Sequence, residues 1–368
     1  MHRIMGLVAA NYSSDKFMQL TKERPVASLP FGGRYRLVDF PLSNMVNSRI
    51  YTVGLITPYM YRSIMDHVGV GKEWALNRKV GGMFILPGSI YGLKNVQGKF
   101  LLRDIIQNRA YLDRGHQDYV VVSGCNKVFN IDYRAVLEAH IANRAVITLL
   151  YKKSPENCGT KEIFFDIGEA GKVLTASEMP DKSANCFLDS FIINRDLLLK
   201  FISWYEATSY LDLVEIIIEN LGHLDVFGYE FTGYMGAIDD VKSYMKCSQD
   251  LLNPEVDHEL FNNKDRPILT KIQDSPPAKY WPTSSVRNSL VSTGCIIKGT
   301  IENSIIFRGV TVEKGAVLKN CVIMQNTIIN KDTVLENVVC DKYTVFREGV
   351  KVFGSAEDPI VVGKGQSV

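Results

Sequence analysis

Asn288-Ser289-Leu290-Val291, Asn303-Ser304-Ile305-Ile306, Asn320-Cys321-Val322-Ile323 and Asn337-Val338-Val339 echo one another, with their asparagines 15, 17 and 17 residues apart. Ile301, Leu318 and Leu335 recur at the same period, as do Val312, Ile329 and Phe346. A period near three hexapeptides with apolar residues facing inward predicts a left-handed parallel β-helix. Each coil of such a solenoid buries its apolar row only against the next, so several must stack. An ordinary antiparallel sheet would not hold that register over three turns.

Upstream of the repeat, residues 266–286 carry Pro267, Pro276, Pro277 and Pro282 among polar residues and read as an ordered linker. Residues 1–265 alternate apolar runs with amphipathic segments. The stretches 51–57, 118–123 and 145–151 are rich in β-branched residues with little polar alternation, the pattern of parallel strands buried on both faces. Residues 99–114 and 133–143 have helical spacing. Strand and helix taking turns predicts a doubly wound, Rossmann-like α/β domain, whose ligands sit outside the carboxyl ends of the strands. The chain therefore divides into an α/β domain (1–265), a linker (266–286) and a β-helix (287–368).

Composition narrows the classes. The chain has 368 residues, 46% hydrophobic and 22% charged, with a net charge of +2. That suits two globular domains and argues against nucleic-acid binding, which calls for a basic stripe. No run approaches the length of a membrane span. Residues 1–10 read as a first buried strand rather than a signal peptide. The seven cysteines are scattered and never form C-x-x-C, which fits reduced thiols in a cytoplasm. The six histidines form no metal motif, and none follows His258, so the histidine-dependent acyl transfer of many solenoid proteins is not expected. Gly69-Val70-Gly71-Lys72 lacks P-loop spacing and reads as a turn at a helix end.

One further stretch is highly specific: Phe31-Gly32-Gly33-Arg34-Tyr35-Arg36-Leu37-Val38-Asp39-Phe40-Pro41-Leu42-Ser43-Asn44. It resembles a signature of the glucose-1-phosphate adenylyltransferase family, which makes ADP-glucose for glycogen and starch. The resemblance extends through Leu20-Thr21 and Pro276-Pro277-Ala278-Lys279 into the repeat, and thus over nearly the whole chain. It implies a nucleotidyltransferase domain that cradles phosphates with glycine-rich backbone and holds Mg²⁺ with carboxylates. Those reactive positions are replaced here. The family's loop glycines fall on Asn11, Tyr12 and Ser14, its triphosphate arginine on Lys16, and a later lysine on Val26. One metal carboxylate falls on Asn126, beside Lys127, and the other on Ala237. Asp239 reads as a helix cap. Loss of both carboxylates would cost on the order of 10³ to 10⁶ in turnover.

On the sugar-phosphate side the resemblance implies only remnants: Glu178 without its lysine (Met179-Pro180 follow), Asp212 and Tyr91. Arg24 and Arg36 match positions where the family places regulatory cations, although Glu23 replaces a neighbouring lysine; a solvated arginine pair is the plainer reading. Asp39 and Arg36 read as structural. The pattern is most similar to the accessory D-type subunits found with a catalytic C-type subunit in Gram-positive bacteria. It implies a non-catalytic, regulatory subunit of a cytoplasmic heterotetramer in glycogen biosynthesis. No cofactor is expected on this chain; Mg²⁺ is expected in the catalytic partner. Sugar phosphate or nucleotide would bind only weakly. Two other readings stay open, an autonomous sugar-phosphate nucleotidyltransferase and a stand-alone sugar-phosphate sensor.

Overall fold

The computed structural model describes residues 3–12, 14–58, 60–88, 98–153, 162–178, 185–208 and 212–368. The α/β domain is built on nine strands: β1 (Ile4–Ala9), β2 (Thr52–Thr57), β3 (Gly82–Pro87), β4 (Tyr119–Ser123), β5 (Ile147–Lys153), β6 (Phe164–Ile167), β7 (Val173–Ser177), β8 (Asn185–Asn194) and β9 (Val226–Glu230). β3, β2, β1 and β4 lie side by side and parallel. The apolar runs are continuous because successive residues feed two cores. Val120 and Val122 enter the core on one face of the sheet, and Val121 enters the core on the other.

Beyond β4 the sheet departs from a purely parallel expectation. β8 runs antiparallel to both β4 and β5, and β9 is parallel to β5. β6 and β7 form an antiparallel pair joined to β8 at Phe164 and Cys186. Both-face burial of a strand specifies its hydrophobicity but not its direction, so the reversal left no trace in composition.

In the solenoid the stacked rows follow the sequence period. Ile301 sits over Leu318, Leu318 over Leu335, Val312 over Ile329 and Ile329 over Phe346. Asn288, Asn303, Asn320 and Asn337 all have positive φ, from 40° to 53°. Asparagine tolerates the left-handed corner that starts each coil better than most side chains, which explains its recurrence. Lys279–Tyr280 already pairs with Ile296–Ile297, so the first coil begins inside the stretch read as linker.

The 31–44 signature is the joint between the two domains. Pro30–Phe31 and Tyr35–Arg36 form a hairpin whose turn places Gly32 and Gly33 at φ 56° and 81°. A Cβ on Gly33 would meet Ser292 Oγ of the solenoid at 2.5 Å, and that hydroxyl donates to Gly33 O. Phe31, Leu37 and Phe40 share one core with Ile305, Phe307, Val322 and Met324 of the solenoid. The polar residues of the signature are equally committed. Asp39 accepts from Arg36 N–H and pairs with His67 at 2.6 Å. Ser43 Oγ accepts from Trp74 Nε1 and Leu269 N–H, and Asn44 bonds Phe129 O and Ile131 N–H.

The cysteine reading needs a correction. Cys125, Cys247, Cys295, Cys321 and Cys340 are free, but Cys186 is disulfide-bonded. Cys158 lies outside the described residues. Sequence spacing could not show this, because pairing depends on proximity in the fold.

A second tie across the joint is the ion pair of Arg24 with Asp341, in which Nη2 lies 2.8 and 2.6 Å from the two carboxylate oxygens, both side chains buried. Replacing Asp341 by alanine strands a buried guanidinium and is expected to cost about 3–5 kcal/mol. The double variant Arg24→Met/Asp341→Leu should recover most of that loss, as read by urea unfolding.

Candidate functional site

The strand order reverses between β1 and β4, since β2 and β3 lie to one side of β1 and the later strands to the other. Ligands of open α/β sheets bind at such a switch point, outside the carboxyl ends. Here β1 runs out into Ala10-Asn11-Tyr12 and β4 into Gly124-Cys125-Asn126-Lys127. Lys127–Val128 pairs with Gly236–Ala237, and Ile238 N–H donates to Asn126 O. The fold thus brings together Asn11, Tyr12, Asn126 and Ala237, the positions that sequence reasoning singled out.

What fills the crevice is a network of charge. Lys127 Nζ donates to a Glu162 carboxylate oxygen and to Phe187 O, and lies 3.5 Å from Asp189 Oδ2. Lys99 Nζ lies 2.6 Å from Asp189, 3.8 Å from Glu162 and 4.0 Å from Asp239. Asn126 Nδ2 donates to Asp239 Oδ1 at 2.9 Å. The Tyr12 ring faces Lys99 Nζ at 5.5 Å, and Asn11 donates to Asp104. Lys127 is 2% exposed, Glu162 3% and Asp189 4%, so these charges are out of water and depend on one another.

The electrostatics follow. Burial pushes the Tyr12 hydroxyl up to about 12, aided by Asp239. Burial alone would raise Asp189, but Lys127 and Lys99 outweigh it and hold the carboxyl below its ordinary value. For Glu162 burial dominates over the same two lysines and carries the group up to about 7. Lys99 is held well above its ordinary value; burial opposes this, but Asp189, Glu162 and Asp239 overcome it.

Mg²⁺ does not fit these residues. Ala237 offers a methyl group, the amide of Asn126 is engaged with Asp239, and two ammonium groups stand among the carboxylates. Among the described residues no group of three or more His, Cys, Asp or Glu side chains could hold a metal ion. Asp239 is not the helix cap expected from sequence. Asp240 caps the helix Val241–Asp250 through Ser243 N–H, which frees Asp239 to face Asn126. Neighbouring aspartates at a strand-to-helix turn cannot be told apart without the turn geometry.

The other expected positions are dispersed. Asp212 is buried as the N-cap of the helix Leu213–Glu219 and accepts from Phe100 N–H at 2.7 Å. Glu178 is exposed, just after β7, and Lys16 is exposed in the turn Asp15–Thr21. Tyr91, Met179 and Pro180 lie outside the described residues. Arg24 is committed to Asp341.

Arg36 lines a second site, a cavity of about 520 Å³ between the α/β domain and the solenoid. Arg34, Lys271, Arg308 and Lys342 also line it, against Asp66. Burial, then Arg36 and Arg24, lower the Lys342 ammonium to about 7, and burial takes Arg36 down to about 10. Sequence reasoning missed Lys99, Glu162 and Asp189 in the crevice and four of the five cations here. Apart from Arg34, which stands beside Arg36 in the 31–44 signature, they come from distant segments, and no local motif joins them.

A mixed α/β sheet with its crevice at the switch point, followed by a hexapeptide solenoid, defines a chain of nucleotidyltransferase architecture. Residues 11–233 match the nucleotidyl transferase family, and residues 276–358 match the GlmU-like, C-terminal hexapeptide family. The glycogen biosynthesis protein GlgD of Bacillus subtilis is 36% identical over 365 residues, 99% of this chain and 96% of the relative. GlgD of Geobacillus stearothermophilus is 35% identical, covering 86% of this chain and 83% of the relative. Glucose-1-phosphate adenylyltransferase of the same organism is 29% identical with the same coverages. The chain belongs to the glucose-1-phosphate adenylyltransferase family, on its GlgD branch.

Because the folded chain holds a proton on Glu162 to about pH 7, the unfolded chain releases it at lower pH. This group's contribution to stability therefore falls as pH rises from about 4.5 to 7. Urea unfolding at pH 5 and pH 7.5 should show the native chain losing stability relative to Glu162→Gln, which cannot titrate.

Proposed function

We propose that this chain is a non-catalytic accessory subunit that modulates a catalytic glucose-1-phosphate adenylyltransferase subunit in cytoplasmic glycogen synthesis, within a heterotetramer. The observation that carries the reading is the crevice. Its predicted metal positions are Asn126 and Ala237, and two lysines, Lys127 buried and Lys99 partly buried, stand among its carboxylates. Transfer of a nucleotidyl group needs cations against phosphate and carboxylates around Mg²⁺. Here the carboxylates are engaged with lysine, so Mg²⁺ chemistry is assigned to the partner. Modulation requires contacts that differ between two states of that partner. The signature joint and the solenoid are the surfaces proposed to supply them.

Regulation is proposed to act through the interdomain cavity. Five cations face it with one carboxylate, and the partial burial of Arg36 and Lys342 makes the repulsion between those two costly. An anionic effector would relieve that repulsion at Arg36, Arg308 and Lys342. Arg24 would support the site from behind by fixing Asp341, next to Lys342.

ADP-glucose synthesis by this chain, by a catalytic subunit, and by the two co-expressed tests the assignment. The expectation is no turnover by this chain alone and a change of about 5-fold or more in the partner's kcat/KM or saturation, the lower range of allosteric coupling. Turnover by this chain alone would make it an autonomous enzyme. An unchanged partner, with sugar phosphate bound by this chain alone, would make it a sensor. For the cavity, sulfate is the probe, since its charge is constant near neutral pH. Its affinity should fall from pH 6 to pH 8 as Lys342 loses its proton, and Lys342→Met should bind more weakly and without that slope.

A further inference from the structure

The crevice network ties together segments that are far apart in the chain. Lys99 stands before the helix Leu102–Gln107, Lys127 in the turn after β4, Glu162 before β6, Asp189 within β8, and Asp239 before the helix Val241–Asp250. Lys127 has three acceptors around its ammonium (Glu162, Phe187 O and Asp189), as a bound cation would. Lys99 lies against Asp189 and reaches toward Glu162 and Asp239. In an α/β sheet the carboxyl-end segments usually arrange themselves around a ligand that enters from solution. Here the cations belong to the chain.

We infer that Lys99 and Lys127 are a built-in ligand, an internal clasp that holds the crevice segments in one closed arrangement without nucleotide or divalent cation. The inference deepens the non-catalytic reading and rests on it. The crevice has become a fixed part of the scaffold presented to a partner rather than a site that opens and closes. Any entering nucleotide would have to displace an ammonium from buried carboxylates. That leaves an uncompensated charge in a site out of water.

Hydrogen exchange of the isolated full-length chain, followed by mass spectrometry, tests the clasp. Lys99→Met removes the more accessible cation with little change in volume. Residues 98–104, 124–128, 162–167, 185–190 and 236–240 are then expected to exchange faster together, by about tenfold or more. The solenoid should be unaffected. Acceleration confined to residues around position 99 would overturn the inference, because a clasp must release all its partners. The native chain gives a second arm that needs no variant, useful should Lys99→Met fail to fold. Millimolar ATP with Mg²⁺ should leave exchange in these segments unchanged, and protection there would show that the crevice still admits nucleotide. Neither arm involves a catalytic subunit. If the clasp holds while co-expression leaves the partner's kinetics untouched, the accessory assignment fails and the clasp stands. If the partner responds while the clasp segments loosen independently, the reverse follows.

Discussion

The face of the solenoid formed by Ile305, Val322 and Val339 has no water to meet, because the segment from Phe17 to Phe40 covers it. The setting of the two domains against each other and the cavity between them depend on that contact. A parallel β-helix closes its interior coil by coil, but its outer face would stay apolar without a partner. The hairpin at Gly32-Gly33 brings backbone close enough to bond Ser292, and the buried Arg24–Asp341 pair pins the same junction from the side. The joint thereby fixes where the interdomain cavity lies and which cations face it. Arg34 and Arg36 come from the hairpin, while Arg308 and Lys342 come from the coils.

The crevice illustrates a different economy. A buried lysine and a partly buried one set among three buried carboxylates are no sign of extra stability, since desolvation offsets most of their attraction. Their effect is specificity of arrangement. Lys127 and Asp189 find their partners only when the others are in place, and the shifts of Asp189 downward and Glu162 upward show unequal shares of the same two lysines. Asn126 completes the set by donating to Asp239, a bond that a carboxylate at that position could not make.

Much of this was legible in the sequence. The period of 15 to 17 residues gave the solenoid and even its stacked rows, because an apolar row that must bury against its neighbour repeats at the coil length. Apolar runs without alternation gave the buried strands. Asn126 and Ala237 were found as partners in one site through resemblance, and the pairing of Lys127 with Ala237 bears out their proximity. The reading faltered where geometry alone decides. Asp239 and Asp240 are adjacent, yet one caps a helix and the other faces the crevice. Arg24 and Arg36 look alike in the chain, yet one is spent on Asp341 and the other lines the cavity.

The sequence by itself therefore determined the two architectures, their order along the chain and the family. These are encoded in periodicity and in residue types at local positions. Only the tertiary structure decided the reversed β8, the charge clasp and the cationic cavity. Each of these joins segments tens to hundreds of residues apart, and the energy of a buried charge depends on which groups the fold places around it, not on its neighbours in the chain.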